Sequence, residues 1–190
     1  PWRTSTGSRV ADTPYTAAYT SNTLLTGAVD LSAANQIFHV PKPAITNYAD
    51  GSQYYRYVLK TNGTAERQVY NGAAWVLDAV VTNFNWVGVE GAISRTVAQE
   101  QQNFATWYSF HRTRNKVAKA GVSEAFSDLG EDIRVGFNTI WNNNTFNIPV
   151  GSDDGLFRDL GASTNRSTWY ARLQTAPASG NTPLLPSLVR

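Results

Sequence analysis

The 190 residues contain no cysteine and no methionine. The first absence excludes disulfides, thiolate metal sites and a thiol nucleophile. The second, in a chain that begins at Pro1, is expected of a piece processed or excised from something longer. No run of about 18 apolar residues occurs, so no membrane span is expected, and no signal peptide is recognisable. Charge is scarce: Asp, Glu, Lys and Arg make up 16% of the chain, against roughly 25% in an ordinary globular protein. With 16 basic and 14 acidic residues the net charge is +2, too little to mark a nucleic-acid binder. Uncharged side chains supply the polarity instead, with 20 Thr, 16 Asn and 14 Ser. Hydrophobic residues at 42% and aromatics at 12%, six of them Trp, are enough for a packed core and argue against global disorder. The length suits one domain, or one and a fraction.

Residues 1–50 are rich in Thr, Ala, Ser and Pro and carry no sustained period. One short strand is expected within Asn35–Pro43, stopped by proline; the rest reads as extended segments and loops draped on a neighbour, or as disorder. The pattern then changes. Gln53–Lys60, Glu66–Tyr70 and Ala74–Leu77 are rich in aromatic and β-branched residues and are separated by Asn62-Gly63 and Asn71-Gly72. These pairs favour tight hairpin turns, whose central positions both require positive φ, so a three-stranded antiparallel meander is predicted. Residues 79–89 add a further candidate strand. From 98 to 129, Phe104, Trp107, Tyr108, His111, Asn115, Ala118, Val122, Ala125, Phe126 and Leu129 recur at steps of three and four, which predicts one long amphipathic helix. Arg112, Lys116 and Lys119 fall opposite that stripe. Gly121 is a soft spot in the helix or a place of close packing, and Gly130 ends it. Strands are predicted at Arg134–Ile140 and Phe146–Val150, joined by Asn142–Asn144. A helix follows near Arg166–Gln174, and another starts at Leu184–Arg190.

Little catalytic chemistry is on offer. His39 has no serine or carboxylate at a recognisable spacing, and His111 sits on the predicted apolar stripe as a packed core residue. Asp153-Asp154-Gly155 lacks the alternating carboxylates and closing Glu of a calcium loop, and reads as a helix-capping turn. Asp12, Asp30 and Asp50 are scattered. Glycosidase chemistry needs two carboxylates facing one cleft, and nothing points to such a pair. Phosphate-cradling glycine motifs are absent. The basic run Arg112, Arg114, Lys116, Lys119 reads as a solvated helix face, with an anion- or partner-binding surface as the alternative. The aromatic residues of 53–90 serve core packing, or form a carbohydrate or protein contact patch.

One string carries a family likeness. Asn103-Phe-Ala-Thr-Trp-Tyr-Ser-Phe-His-Arg-Thr-Arg114 resembles the N-F-A-x-W-Y-x-Y-Y-R-T-R signature of type IV pilus tip adhesins of the PilC/PilY class. Lys119, Phe126, Arg134–Ile140, Trp169-Tyr170, Leu173 and Gly180-Asn-Thr-Pro-Leu184 continue the pattern in order, so the likeness covers about residues 99–190. His111 stands where that family has Tyr. The resemblance implies an α/β fold: a partial von Willebrand factor A-like domain at 98–190 (long helix, β-hairpin, helix, metal-site Thr loop), with residues 1–97 as a variable, mostly loop and β insertion built on an antiparallel meander. It also implies a metal-ion-dependent adhesion site in which Thr182 is a ligand, a hard hydroxyl oxygen suited to Mg²⁺ or Ca²⁺. The alternative is that Thr182 caps a helix beginning at Pro183. The 190 residues contain no D-x-S-x-S, so the other ligands lie elsewhere and no cofactor is expected in this piece; Mg²⁺ or Ca²⁺ belongs to the full-length protein.

By that resemblance the chain is a non-enzymatic bacterial surface protein, extracellular at the pilus tip, acting in adhesion and type IV pilus assembly. Its implied partners are minor pilins at the tip, a host-cell or surface receptor, and the remainder of its own chain, with no nucleic acid and no membrane span. Two other classes stay open: a carbohydrate-binding β-rich module using Trp75 and Trp86, and a secreted hydrolase fragment.

Overall fold

Between residues 36 and 81 the chain alternates apolar and polar side chains and is punctuated by Asn-Gly, and it folds as that pattern dictates. The computed structural model describes residues 3–4, 8, 10–22, 26–88, 91–140, 156–159 and 164–177. By its internal contacts the chain divides into two units: a sheet unit of Asp12–Ala18 and Ala28–Thr106, and a helical unit of Pro1–Ala11, Tyr19–Gly27 and Trp107–Arg190. Two-residue strands β1 (Ala18–Tyr19) and β2 (Ala28–Val29) come first.

The sheet unit is built on four antiparallel strands in the order β3 (Gln36–Pro41), β4 (Tyr54–Leu59), β5 (Ala65–Tyr70) and β6 (Trp75–Val81). The expected strand in 35–43 and the meander are therefore present, and β3 makes a fourth member. The turns differ from expectation in one respect. Gly63 and Gly72 have positive φ, +78° and +97°, but neither Asn62 nor Asn71 does. The asparagines act through their side chains: Asn62 Oδ1 accepts from Thr64 N–H at 3.1 Å, and Asn71 Oδ1 accepts from Ala73 and Ala74 N–H at 3.0 and 2.9 Å. These are Asx turns closed by a left-handed glycine. Between β5 and β6 the register skips Asp78 at the Arg67–Gln68 step, a bulge bridged by Arg67 Nε donating to Asp78 Oδ2 at 2.5 Å.

Pairing places Phe38 opposite Tyr57, and His39 opposite Arg56, Gln68 and Leu77 in turn on the other face. The Phe38–Tyr57 face is the buried one. Residues 79–89 are divided between the end of β6 and β7 (Asn83–Gly88), which pairs with β8 (Gly91–Thr96). Phe84 and Trp86 from β7 pack on Tyr57, with ring centroids 5.5 and 5.3 Å away, and Phe104 lies 6.0 Å from Phe38. Phe84 is 1% exposed.

Thr96-Val-Ala-Gln99 forms a reciprocal capping box: Gln99 N–H donates to Thr96 Oγ1 at 3.3 Å, and Thr96 N–H donates to Gln99 Oε1 at 2.9 Å. It opens α1 (Val97–Phe110). The single long helix expected over 98–129 is not what forms. The helix breaks at His111-Arg112-Thr113, and α2 runs Arg114–Ser127. The cause is local: Thr113 is extended (φ −115°, ψ 156°) and its hydroxyl accepts from Lys116 N–H, the geometry of an N-cap. His111 thus lies in a turn, half-buried, rather than on a helix stripe. Burial lowers its pKa below the ordinary imidazole value. α2 ends with Asp128 as its C-cap, short of Gly130. Gly121 is exposed with open space around it, so it is not a close-packing point.

The helical unit closes with α3 (Asn165–Thr175), within a residue of expectation at each end. Trp169 stacks on Phe126 at 4.3 Å and 15°, Phe157 meets Trp169 edge-on at 5.4 Å, and Tyr170 and Leu173 complete the cluster. Trp169 Nε1 donates to the Gly136 carbonyl at 3.1 Å. Arg134–Ile140 is not a continuous strand. Its pairing is confined to isolated bridges, one of them Arg134 with Leu156, and this segment instead supplies Val135 and Phe137 to the Trp169 cluster. Asn142–Asn144, Phe146–Val150, Asp153–Gly155, Gly180–Leu184 and Leu184–Arg190 lie outside the described residues.

Candidate functional site

The family-like string runs through the end of α1, the 111–113 turn and the start of α2, so the site is built from there. Arg112 folds back over Tyr108, with its guanidinium 4.0 Å from the ring centre and Nη1 donating to the Tyr108 hydroxyl at 2.8 Å. Its other arm reaches the Thr20 carbonyl at 3.3 Å. The Thr113 hydroxyl also donates to Asn22 Oδ1 at 2.7 Å. Beyond the turn the structure reverses the sequence reading. Lys116 and Lys119 do not line a solvated face: they are 0% and 3% exposed.

Their positions explain both the burial and its tolerance. Lys116, Lys119, Ala120 and Ser123 are the buried residues of α2, at i, i+3, i+4 and i+7, one face of a helix. The Lys116 ammonium donates to the Tyr108 carbonyl at 3.2 Å and to the Tyr19 carbonyl at 2.7 Å. Lys119 donates to the Gln174 and Asn22 carbonyls, both at 2.6 Å. Tyr108 and Gln174 stand in the last turns of α1 and α3, where helix carbonyls lack partners within their own helix. Each ammonium therefore caps the negative end of a neighbouring helix while tying down the 19–22 strand and loop. Desolvation pushes both pKa values down to about 8, with Arg112 a smaller contribution at Lys116. A lysine of lowered pKa suits nucleophilic chemistry in an open cleft, but at pH 7 both groups remain mostly ammonium and their burial keeps substrate away, so these two are positioning residues. The spacing 116, 119, 120, 123 is the sequence signal of this buried face, and it is masked because charge ordinarily marks exposure.

The other candidates are dispersed. Trp86 belongs to the buried Tyr57 face, with Nε1 donating to Glu100 at 3.2 Å. Trp75 lies on the opposite face, with His39 at 5.2 Å, Tyr70 at 5.6 Å and the Arg56 guanidinium at 5.7 Å. The two tryptophans thus form no common platform. His39 is exposed, and its pKa is lowered by desolvation and by Arg56. Asp30 and Asp50 each cap a short 3-10 turn through Ser32 and Ser52, and those serine hydrogen bonds hold both carboxyls below the usual range. No group of three or more His, Asp or Glu is placed to hold a metal ion among the described residues. Thr182 lies outside them. Among the described residues no helix is long and apolar enough to cross a membrane.

Comparison with known proteins gives one consistent result. The chain is 33% identical over 102 residues to the type IV pilus biogenesis factor PilY1 of Pseudomonas aeruginosa strain PAO1, a match covering 50% of this chain and 9% of that protein. It is 32% identical over 96 residues to PilY1 of Pseudomonas aeruginosa strain PAK, covering 49% of this chain and 8% of that protein. No family model matches the chain, and no solved structure does. The chain therefore spans less than a tenth of the length of these curated relatives, and about half of it is homologous to PilY1.

Proposed function

We propose that the chain is a segment of a type IV pilus biogenesis factor that works by binding rather than catalysis. The carrying observation is the match of half the chain to PilY1 at 33% identity. The string Asn103–Arg114 supports it, since it spans a turn whose residues are locked by Arg112, Thr113 and Lys116. The arrangement is mechanical in character: ammonium caps, a cation–π stack and a helix break hold four segments together, the ends of α1 and α3, α2 and residues 19–22, without presenting a reactive group.

The finer reading is also a proposal. The segment contributes to a von Willebrand factor A-like adhesion domain at the pilus tip, on the bacterial surface, next to minor pilins and a host-cell or surface receptor. Thr182 is then one ligand of a Mg²⁺ or Ca²⁺ site. A single hydroxyl cannot hold a divalent cation, which takes several oxygen ligands, so the remaining ligands come from outside these 190 residues.

The test uses the full-length parent protein in the bacterium that makes it. Excising residues 98–190 is expected to abolish surface piliation and twitching, whereas Thr182→Ala is expected to leave pili present and to weaken divalent-cation-dependent adhesion. Normal pili and normal adhesion after excision would overturn the proposal.

A further inference from the structure

Beside the capping box, the sheet unit carries a groove of about 480 Å³ whose lining includes Asp12, Ile93, Arg95, Gln99, Asn103 and Thr106. That volume falls within the roughly 300–1,000 Å³ of small-molecule sites. Behind it lies Glu100, a carboxylate only 5% exposed. Burying a carboxylate is costly unless it is paired and hydrogen-bonded, and Glu100 is both. It accepts from Trp86 Nε1 at 3.2 Å, Arg95 Nη1 at 3.3 Å and Asn103 Nδ2 at 3.0 Å. Two of those three donors, Arg95 and Asn103, are themselves groove residues. One buried acid thus fixes the orientation of two side chains at the surface, the arrangement that preorganises a recognition site.

The hydrogen-bonding groups left over define the ligand. One of the two Asn103 amide N–H groups is committed to Glu100, which leaves the second N–H as a donor and Oδ1 as an acceptor. Gln99 Oε1 is committed to the Thr96 N–H, which leaves its Nε2 as a donor. Asp12 is exposed, with Thr106 Oγ1 at 3.5 Å, and offers acceptors. Hydroxyl groups, which donate and accept at once, match such an alternation of donors and acceptors. Ile93, 39% exposed, supplies an apolar patch of the kind that meets the C–H face of a pyranose ring. Charge narrows the class further: Arg95 is neutralised by Glu100, so the groove's net charge is that of Asp12, which repels anions. We propose that this groove binds a neutral pyranose sugar. The proposal goes beyond the pilus reading and does not depend on it.

The experiment is titration of the purified 190-residue chain, labelled with ¹⁵N, with the methyl glycosides of glucose, galactose, mannose and N-acetylglucosamine, and separately with methyl glucuronide and sialic acid. The Trp86 indole N–H, bonded to Glu100, is the reporter. A saturable shift with at least one neutral glycoside is expected, and none with the acidic sugars. Asp12→Ala and Asn103→Ala should each weaken that binding by about tenfold, the loss of one or two hydrogen bonds; the ligand-free spectrum of Asp12→Ala should overlay the parent's, and that of Asn103→Ala should differ only around Glu100 and the Trp86 indole, where a donor is lost. Trp75→Phe, on the far face of the sheet, should bind normally. The proposal falls if no neutral glycoside shifts the reporter, if acidic sugars bind as well, or if affinity survives both groove variants. Because the readout is binding by the isolated chain, its failure leaves the piliation test untouched, and the reverse holds too.

Discussion

The two units bury different chemistry at their centres. The sheet unit closes on aromatic rings, Phe38, Tyr57, Phe84, Trp86 and Phe104, and the buried carboxylate of Glu100 is matched by three donors. The helical unit also has an aromatic cluster around Trp169, but it buries two lysines, and it satisfies them with helix-end carbonyls. Rings contribute through area removed from water, a term without direction. Ammonium caps contribute only where particular carbonyls are in reach. The sheet unit should therefore tolerate conservative exchange of its rings, Trp86 excepted because its Nε1 serves Glu100, and the helical unit should resist any exchange that removes a donor.

The sharpest break of that contrast comes from cavities. Phe84→Ala and Trp169→Ala should each cost about 4 kcal/mol, read as the shift in urea midpoint, and Phe84→Leu should recover most of the sheet-unit loss. Lys116→Ala should cost about 3 kcal/mol, from a lost charged hydrogen bond and the hole left behind. Lys116→Met fills the hole but leaves the Tyr108 and Tyr19 carbonyls without their donor, and should recover only part of it. If Lys116→Met were as stable as the parent, the capping role assigned to the ammonium would be wrong.

Acidity gives a subtler discriminator. Lys116 and Lys119 release their protons near pH 8 when folded, but near 10.4 when unfolded. Between those values the unfolded chain holds more protons, so stability contributed by these groups rises with pH. Below pH 8 the penalty for burying the charged forms is present in full and does not vary. The stability difference between the parent and a Lys116→Met/Lys119→Met variant should be flat below pH 8 and move in the parent's favour up to about pH 10.4. The smallest expected effects are at the caps. Thr96→Ala and Thr113→Ala should each cost about 1 kcal/mol, the second appearing as fraying of α2 in amide exchange.

Legibility from sequence followed the same divide. The meander could be read because its signals are local: alternation sets the faces and Asn-Gly sets the turns, so β3 to β6 appear close to where the pattern puts them. Even there, the asparagines act by side-chain acceptance rather than by adopting positive φ. The helical unit depends on distant partners. The stripe from Phe104 through His111 to Asn115 keeps helical spacing straight through the break, so only the capping behaviour of Thr113 betrays it. Lys116 and Lys119 look like solvent residues until the carbonyls of Tyr19, Asn22 and Gln174, 55 residues or more away along the chain, are brought beside them. Arg134–Ile140 has strand-like composition, but Val135 and Phe137 pack on the Trp169 cluster and pairing is limited to isolated bridges. Glu100 is hidden in the sequence for a related reason: a carboxylate in the first turn of a helix reads as a dipole partner, and nothing local foretells the indole and guanidinium that enclose it.

The open surroundings of Gly121 have a practical side. A Cβ there would touch nothing within 4 Å, and the chain carries no native sulfhydryl. Gly121→Cys would thus create a unique attachment point at mid-helix, to which a fluorophore or spin label could be coupled to follow the ammonium-pinned helices as they unfold, without any background reaction to subtract.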